Sequence, residues 1–251
     1  MSKELQKANK KGLNKSNTGK LDLLNLNTSA LTACLNDLAI PRLFYQLVVF
    51  VLDGSGSMTF PGMSGISKGE EVDKSLNQVI HRLLKSKNKN SFDINVWAYA
   101  NECVEMLPVT QVDKINLPIP LNPTNFIEEY NKTKLEETLN KVSTYVNEYL
   151  DLNINKNAQA LIIILSDGAI HDQEESEIIC NKLKTNSKTT ISTVLFESKL
   201  WKEEYEEDDL AFLKENMKTF ANNSNLFTST LDPEEIRKHM IKSISTVSKI
   251  D

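Results

Sequence analysis

Short apolar runs alternate with longer stretches of helical periodicity along most of the chain. Residues 46–52 (QLVVFVL) and 160–165 (ALIIIL) are almost wholly apolar and stop at Asp, Ser and Gly, as strands buried on both faces do. Residues 190–196 (TISTVLF) read as another such strand, and 225–228 as a short last one. Residues 92–100 alternate Ile94, Val96 and Ala98 with Asp93 and Asn95, and an apolar stretch resumes at 103–107 after Asn101-Glu102. So short a link joins only antiparallel strands, which predicts a hairpin at one sheet edge. Between the strands, apolar residues recur three and four apart. Val72, Leu76, Val79, Ile80 and Leu83 mark a helix over 68–84, and Leu135, Leu139, Val142, Val146 and Leu150 a second over 134–150. Residues 173–183 and 210–220 carry the same spacing, and Asp232-Pro233-Glu234-Glu235 opens a final helix with a capping acid and a proline at its first position. Strands alternating with helices, plus one hairpin, predict an α/β domain with a mainly parallel sheet and helices on both faces.

The pattern changes ahead of Pro41. Residues 1–20 form a Lys/Asn/Ser/Gly arm without apolar periodicity, expected to be flexible. Residues 21–42 place Leu21, Leu24, Leu31, Leu35 and Leu38 in short amphipathic segments, leaving 43–251 as one domain. Charge sharpens this division. The chain of 251 residues has a net charge of -5, but the arm alone holds six lysines against one acid, so the remainder stands at -10. No nucleic-acid partner is expected of so acidic a body. The acidic run 203–209 reads as a solvated helix start. The longest apolar runs are far shorter than the roughly 20 residues of a membrane span, so no membrane association is expected. Three cysteines, Cys34, Cys103 and Cys180, are odd in number and widely spaced, which argues for a reducing compartment and a cytoplasmic location.

In sheets of this kind, ligands gather at the carboxyl ends of the parallel strands. The strand at 46–52 runs into Asp53-Gly54-Ser55-Gly56-Ser57-Met58, and the strand at 160–165 into Ser166-Asp167-Gly168. Two strands thus bring carboxylates, hydroxyls and glycine backbone to one edge. Alternate positions can turn Asp53, Ser55 and Ser57 to the same side. These are hard oxygen donors with no Cys or His among them, which favours Mg²⁺, Mn²⁺ or Ca²⁺ over zinc, copper or iron. Two carboxylates merely neutralise a divalent ion and leave a coordination position for an acidic group from another molecule. Rival readings fail on spacing: the third glycine of a dinucleotide loop would fall at Thr59, and neither G-K-[ST] nor a G-x-S-x-G elbow is present.

These two motifs, about 110 positions apart, resemble the von Willebrand factor type A (vWA) domain and its metal-ion-dependent adhesion site. The resemblance covers roughly residues 43 to 250. It implies a Rossmann-like six-stranded sheet with one antiparallel edge strand. It also implies a metal held by Asp53, Ser55, Ser57, a threonine and Asp167, with a partner protein's Asp or Glu completing the shell. Thr133 opens Thr133-Lys134-Leu135-Glu136-Glu137-Thr138-Leu139, which keeps the family's T-x-[LI]-x-x-A-L pattern apart from Thr138 in place of alanine. Thr124, in Pro123-Thr124-Asn125-Phe126, is the competitor, because Thr-Asn is common in the family. The unbroken stripe from Leu135 to Leu150 favours Thr133, and neither threonine follows the family's pair of glycines.

The expected function is therefore a cytoplasmic protein-binding module, not an enzyme, that uses Mg²⁺ (or Mn²⁺ or Ca²⁺) to hold an acidic side chain and help assemble a complex. Within the family it is similar to bacterial vWA proteins associated with tellurium resistance, stress response and phage defence. Two alternatives stand beside this reading. One is a metal-assisted phosphohydrolase with His171, four residues after Asp167, as the convenient base. The other is a scaffold whose metal site is vestigial.

Overall fold

The computed structural model describes residues 42–198 and 207–247. The basic arm, nearly all of the amphipathic extension, Cys34 and the first part of the acidic run lie outside the described residues. In chain order the elements are β1 (Tyr45–Asp53), α1 (Lys68–Leu84), β2 (Phe92–Tyr99), β3 (Cys103–Gln111), α2 (Glu136–Leu152), β4 (Ala158–Ser166), α3 (Gln173–Lys184), β5 (Thr189–Phe196), α4 (Glu207–Phe220), β6 (Phe227–Thr230) and α5 (Pro233–Val247). The six strands lie in the order β3-β2-β1-β4-β5-β6. All neighbours are parallel except β2 and β3, so the sheet is the Rossmann-like one the sequence predicts, with its single antiparallel strand at one edge.

The alternation within β1 explains its apolar run from Leu47 to Leu52. Val48, Phe50 and Leu52 face a core closed by α1 and α5 through Val72, Leu76, Val79, Ile236 and Met240. Leu47, Val49 and Val51 face a second core closed by α2, α3 and α4 through Leu139, Val142, Leu183, Leu213 and Phe220. Successive side chains point to opposite faces, so a central strand with helices on both sides is apolar from Leu47 to Leu52, between Gln46, whose amide donates to the Ile244 carbonyl at 3.3 Å, and Asp53 at its end.

Several element boundaries differ from the sequence reading, helix α4 for one starting at Glu207 rather than 210, and three of the differences have a local setting in the structure. Strand β3 continues through Pro108 to Gln111, because an edge strand tolerates proline and the pairing register slips between Leu107 and Thr110. Helix α2 begins at Glu136, two residues later than read, with the amides of Leu135 and Glu136 capped by the Asp172 carboxylate and that of Lys134 bonded to the carbonyl of Ala100 at 2.8 Å. The last strand starts two residues late, at Phe227, because the Asn223 side chain accepts from the amide of Asn225 and folds 224–226 into a short 3₁₀ turn. Among the described residues no helix is long and apolar enough to cross a membrane.

Candidate metal centre

Strands β1 and β4 are direct neighbours, so Asp53 and Asp167 leave the sheet side by side. Past Asp53 the chain turns sharply. The amide of Ser55 donates to Asp53 Oδ1 at 2.8 Å, and Gly54 donates to the carbonyl of Tyr99 at 2.8 Å. Glycine is required at 54, since a Cβ there would stand 2.7 Å from Ile127 Cγ1 and 3.0 Å from the Pro123 carbonyl oxygen. A single 3₁₀ turn, Gly56–Thr59, follows, pinned by the fully buried Met58. The turn places Ser55 Oγ 3.1 Å from Ser57 Oγ, and Ser57 Oγ donates to Asp167 Oδ1 at 2.6 Å. Asp53, Ser55, Ser57 and Asp167 thus meet at one edge of the sheet.

The third loop borders the same site. Thr133 is buried, its amide donates to His171 Nδ1 at 3.1 Å, and its carbonyl accepts from the amide of His171 at 2.8 Å. Its hydroxyl has no hydrogen-bond partner among the described residues, whereas Thr124 Oγ1 donates to Asn122 Oδ1 at 2.9 Å within its own turn. No hydrogen bond links either threonine hydroxyl to the four converged oxygens. The Asp172 carboxylate, beside His171, accepts from the amides of Leu135 and Glu136 at 2.8 and 2.9 Å. This acid tethers the Thr133 loop to the loop that carries Asp167.

Two contributors stand outside the expected set of metal-holding residues. Ser166 Oγ, fully buried, donates to Asp53 Oδ2 at 2.7 Å and holds that carboxylate in place. Lys68, the first residue of α1, sends its ammonium to Asp167 Oδ2 at 2.5 Å, with the lysine side chain 2% exposed. In the sequence Lys68 is merely a helix-start lysine. That it enters the site rather than solvent depends on the loop between Met58 and Ser67 folding back, and the Lys68 amide is bonded to the carbonyl of Phe60 at 3.0 Å.

The electrostatics are those of a cation site. Burial, and next the negative charge of Asp167, push the Asp53 carboxyl up to about 6, against the hydrogen bonds from Ser55 and Ser166 that favour its ionised form. Two carboxylates and one ammonium leave a formal charge of -1. The Lys68 ammonium is itself a cation among these oxygens, so the residues present fit a positively charged guest. Among the described residues no three His, Cys, Asp or Glu side chains cluster. The donor set is therefore two carboxylates plus hydroxyls, suited to a hard divalent ion that keeps part of its water. Phe60 and Tyr130 lie beside the site with half of their surface exposed: the Phe60 amide donates to the carbonyl of Ser57 at 3.1 Å, and the Tyr130 carbonyl accepts from the amide of Gly56 at 3.2 Å.

The family model of the von Willebrand factor type A domain matches residues 48–237. No curated protein matches the chain by sequence. Among solved structures it is similar to the pilus adhesin SpaC from Lactobacillus rhamnosus GG, with a TM-score of 0.62 and 10% identity over 82% of this chain and 31% of that one. It is similar to proximal thread matrix protein 1 of the mussel byssus, solved with a zinc-occupied MIDAS motif, with a TM-score of 0.52 and 14% identity over 87% of this chain and 50% of that one. It is also similar to the manganese-loaded TRAP protein of Plasmodium vivax, with a TM-score of 0.51 and 18% identity over 80% of this chain and 75% of that one. The chain thus spans about a third of the adhesin and half of the byssus protein, and at such identities the likeness is one of fold.

Proposed function

The chain belongs to the von Willebrand factor type A domain family, and on that premise we propose that its strand-end centre holds a divalent cation, Mg²⁺ first with Mn²⁺ or Ca²⁺ as alternatives, through which it captures an acidic side chain of a partner protein. The observation that carries this reading is the contact of Ser57 Oγ with Asp167 Oδ1, 2.6 Å across 110 residues of sequence, with Ser55 Oγ 3.1 Å away. Hydroxyls and carboxylates from two strands meet there with no apolar reason to do so. Ser55, Ser57 and Thr133 would hold the ion directly, and Asp53 and Asp167 would balance its charge. The free hydroxyl of Thr133 supports it over Thr124 as the third-loop ligand. When bound, the cation supplies an electrophilic position for a carboxylate from outside. Beside it Phe60 and Tyr130, both bonded through their backbones to the Gly56–Ser57 turn, offer the apolar contacts that a protein partner, rather than a small anion, would bury.

The same geometry supports binding rather than hydrolysis. His171 Nδ1, the convenient base, accepts the Thr133 amide hydrogen, which makes this imidazole part of the loop's support. The cytoplasmic placement is supported by the odd cysteine count, with Cys103 and Cys180 both free thiols. A role in stress or defence assemblies draws on the Asp-Gly-Ser-Gly-Ser-Met motif and its resemblance alone.

Calorimetric titration of the full chain with Mn²⁺ and Mg²⁺ tests the centre. The wild type should bind one ion, and Ser55→Ala with Ser57→Ala should abolish the heat while leaving the circular dichroism spectrum unchanged. Capture of a partner should vanish both in chelator and in the double variant. Equal capture by wild type and double variant, with or without chelator, would overturn the reading.

A further inference from the structure

Lys68 stands against two general expectations. Lysine is among the side chains least often buried, and a cation in the first turn of a helix meets the positive end of the macrodipole. The helix start gains nothing from it, because Ser67 and Glu70 already cap α1 reciprocally: Ser67 Oγ accepts from the Glu70 amide, and the Glu70 carboxylate accepts from the Ser67 amide. Yet Lys68 is 1% exposed, and its ammonium lies 2.5 Å from Asp167 Oδ2 and 5.9 Å from the centroid of the Phe196 ring. The backbone around it is fixed. Its amide is held by the Phe60 carbonyl, and α1 presses so closely on the Pro123–Asn125 turn that a Cβ on Gly69 would meet Asn122 Oδ1 at 2.3 Å. The flexible part is the four-carbon stem, which can carry the ammonium away without moving the helix.

We propose that the Lys68 ammonium is a tethered competitor of the divalent ion: it neutralises Asp167 in the metal-free protein, and metal occupancy requires its withdrawal from that carboxylate. The inference rests on the metal-site reading above and adds how the site is regulated. An ammonium and a divalent cation sharing one carboxylate repel strongly where water is excluded, so the two occupants alternate. Affinity is consequently lower than the oxygen set alone would give. Metal binding also becomes a switch, since it releases a positively charged side chain beside the surface where a partner's carboxylate arrives.

The test compares wild type, Lys68→Met and Lys68→Gln, all as the full chain, by calorimetric titration with Mn²⁺ and by thermal unfolding in chelator and in saturating Mn²⁺. Removing the competitor should tighten Mn²⁺ binding by about tenfold or more. Both variants should unfold at lower temperature than wild type in chelator and recover more than wild type does on adding Mn²⁺. In the wild type, the ¹⁵N signal of the Lys68 ammonium, protected by its ion pair in chelator, should be lost on saturation with Mg²⁺. Variants that bind Mn²⁺ no more tightly than a wild type that does bind it would overturn the competitor while leaving the metal site standing. Absence of Mn²⁺ binding in all three proteins would overturn the metal site and the competitor together. Should both variants fail to fold, the wild-type ammonium signal decides: its persistence in saturating Mg²⁺ overturns the proposal, and its loss supports it.

Discussion

Asp53 is fully buried, with both carboxylate oxygens hydrogen-bonded and a second carboxylate close by. In the metal-free state its charge is a liability of the kind that functional sites carry at the expense of stability. With its pKa raised to about 6 against about 4 when unfolded, ionising it at neutral pH costs on the order of 3 kcal/mol. Asparagine fits the same space: its oxygen can accept from the Ser55 amide, and its amide nitrogen can donate to Ser166 Oγ once that hydroxyl rotates. Asp53→Asn should therefore raise the stability of chelated protein at pH 7.5 by on the order of 2–3 kcal/mol while weakening divalent binding. Urea unfolding in chelator checks it, and an Asp53→Asn protein less stable than wild type would sink the argument. The residue scale also shows what a sequence reveals of such a site. Asp53, Ser55, Ser57 and Asp167 are legible because two apolar runs end at them and neighbouring strand ends share one edge of the sheet, although a 3₁₀ turn rather than strand alternation brings Ser57 round. Ser166 and Lys68 are not, because their partners are set by which strands are neighbours and by how a loop of nine residues, 59–67, folds back.

At the scale of elements, helices α1 through α4 and strands β1 through β5 announce themselves by apolar spacing or runs, because each buries apolar side chains in the two cores, and α5 by the Asp232-Pro233 start ahead of it. The ends are less legible, since they are decided by hydrogen bonds from elsewhere in the chain. Helix α2 shows this most clearly. Leu135 at its N-terminus offers no capping side chain, and the cap comes instead from Asp172, which also lies at the start of α3 and whose carbonyl accepts from the Ser176 amide at 3.0 Å. A carboxylate at a helix N-terminus satisfies open amides and complements the dipole. Because this one bridges two helices, it fixes the Thr133 loop against the loop of Asp167. Asp172→Ala should cost about 1–3 kcal/mol of stability and weaken metal binding although Asp172 is not a proposed ligand. Asp172→Asn, which keeps one acceptor, should fall between. Amide hydrogen exchange at Leu135 and Glu136 reads the cap directly, and unchanged protection in the Ala variant would rule out this role.

For the whole molecule, the end of β1 and the contact of α5 with β5 place two buried titrating groups of opposite sense in one pH window. His239 on α5 is buried with Nε2 2.9 Å from Ser192 Oγ of β5, and Ser192 Oγ also lies 2.9 Å from Ser243 Oγ. Burial, with some repulsion from Lys242, pushes its pKa down to about 4, against a hydrogen bond to the Leu226 backbone that favours the charged form. A base with a depressed folded pKa contributes stability that is complete above its unfolded value, about 6.5, and lost as pH falls toward 4. Asp53 has the opposite sign: an acid with a raised folded pKa favours the folded state at low pH, and that stability is lost as pH rises from about 4 through about 6. Each is worth on the order of 3 kcal/mol, so between about pH 4 and 6.5 they largely cancel in chelated wild-type protein. Removing one exposes the other. In chelator, Asp53→Asn should lose stability progressively relative to its value at pH 7 as the solution is acidified to pH 4.5. His239→Gln, with burial and hydrogen bonding retained but no titration, should resist acid better than wild type over the same range. Denaturant midpoints for the three proteins at half-unit pH intervals test both signs at once. Parallel profiles would mean that neither group titrates as its surroundings dictate, and a steeper acid loss in His239→Gln than in wild type would reverse the sign assigned to the histidine.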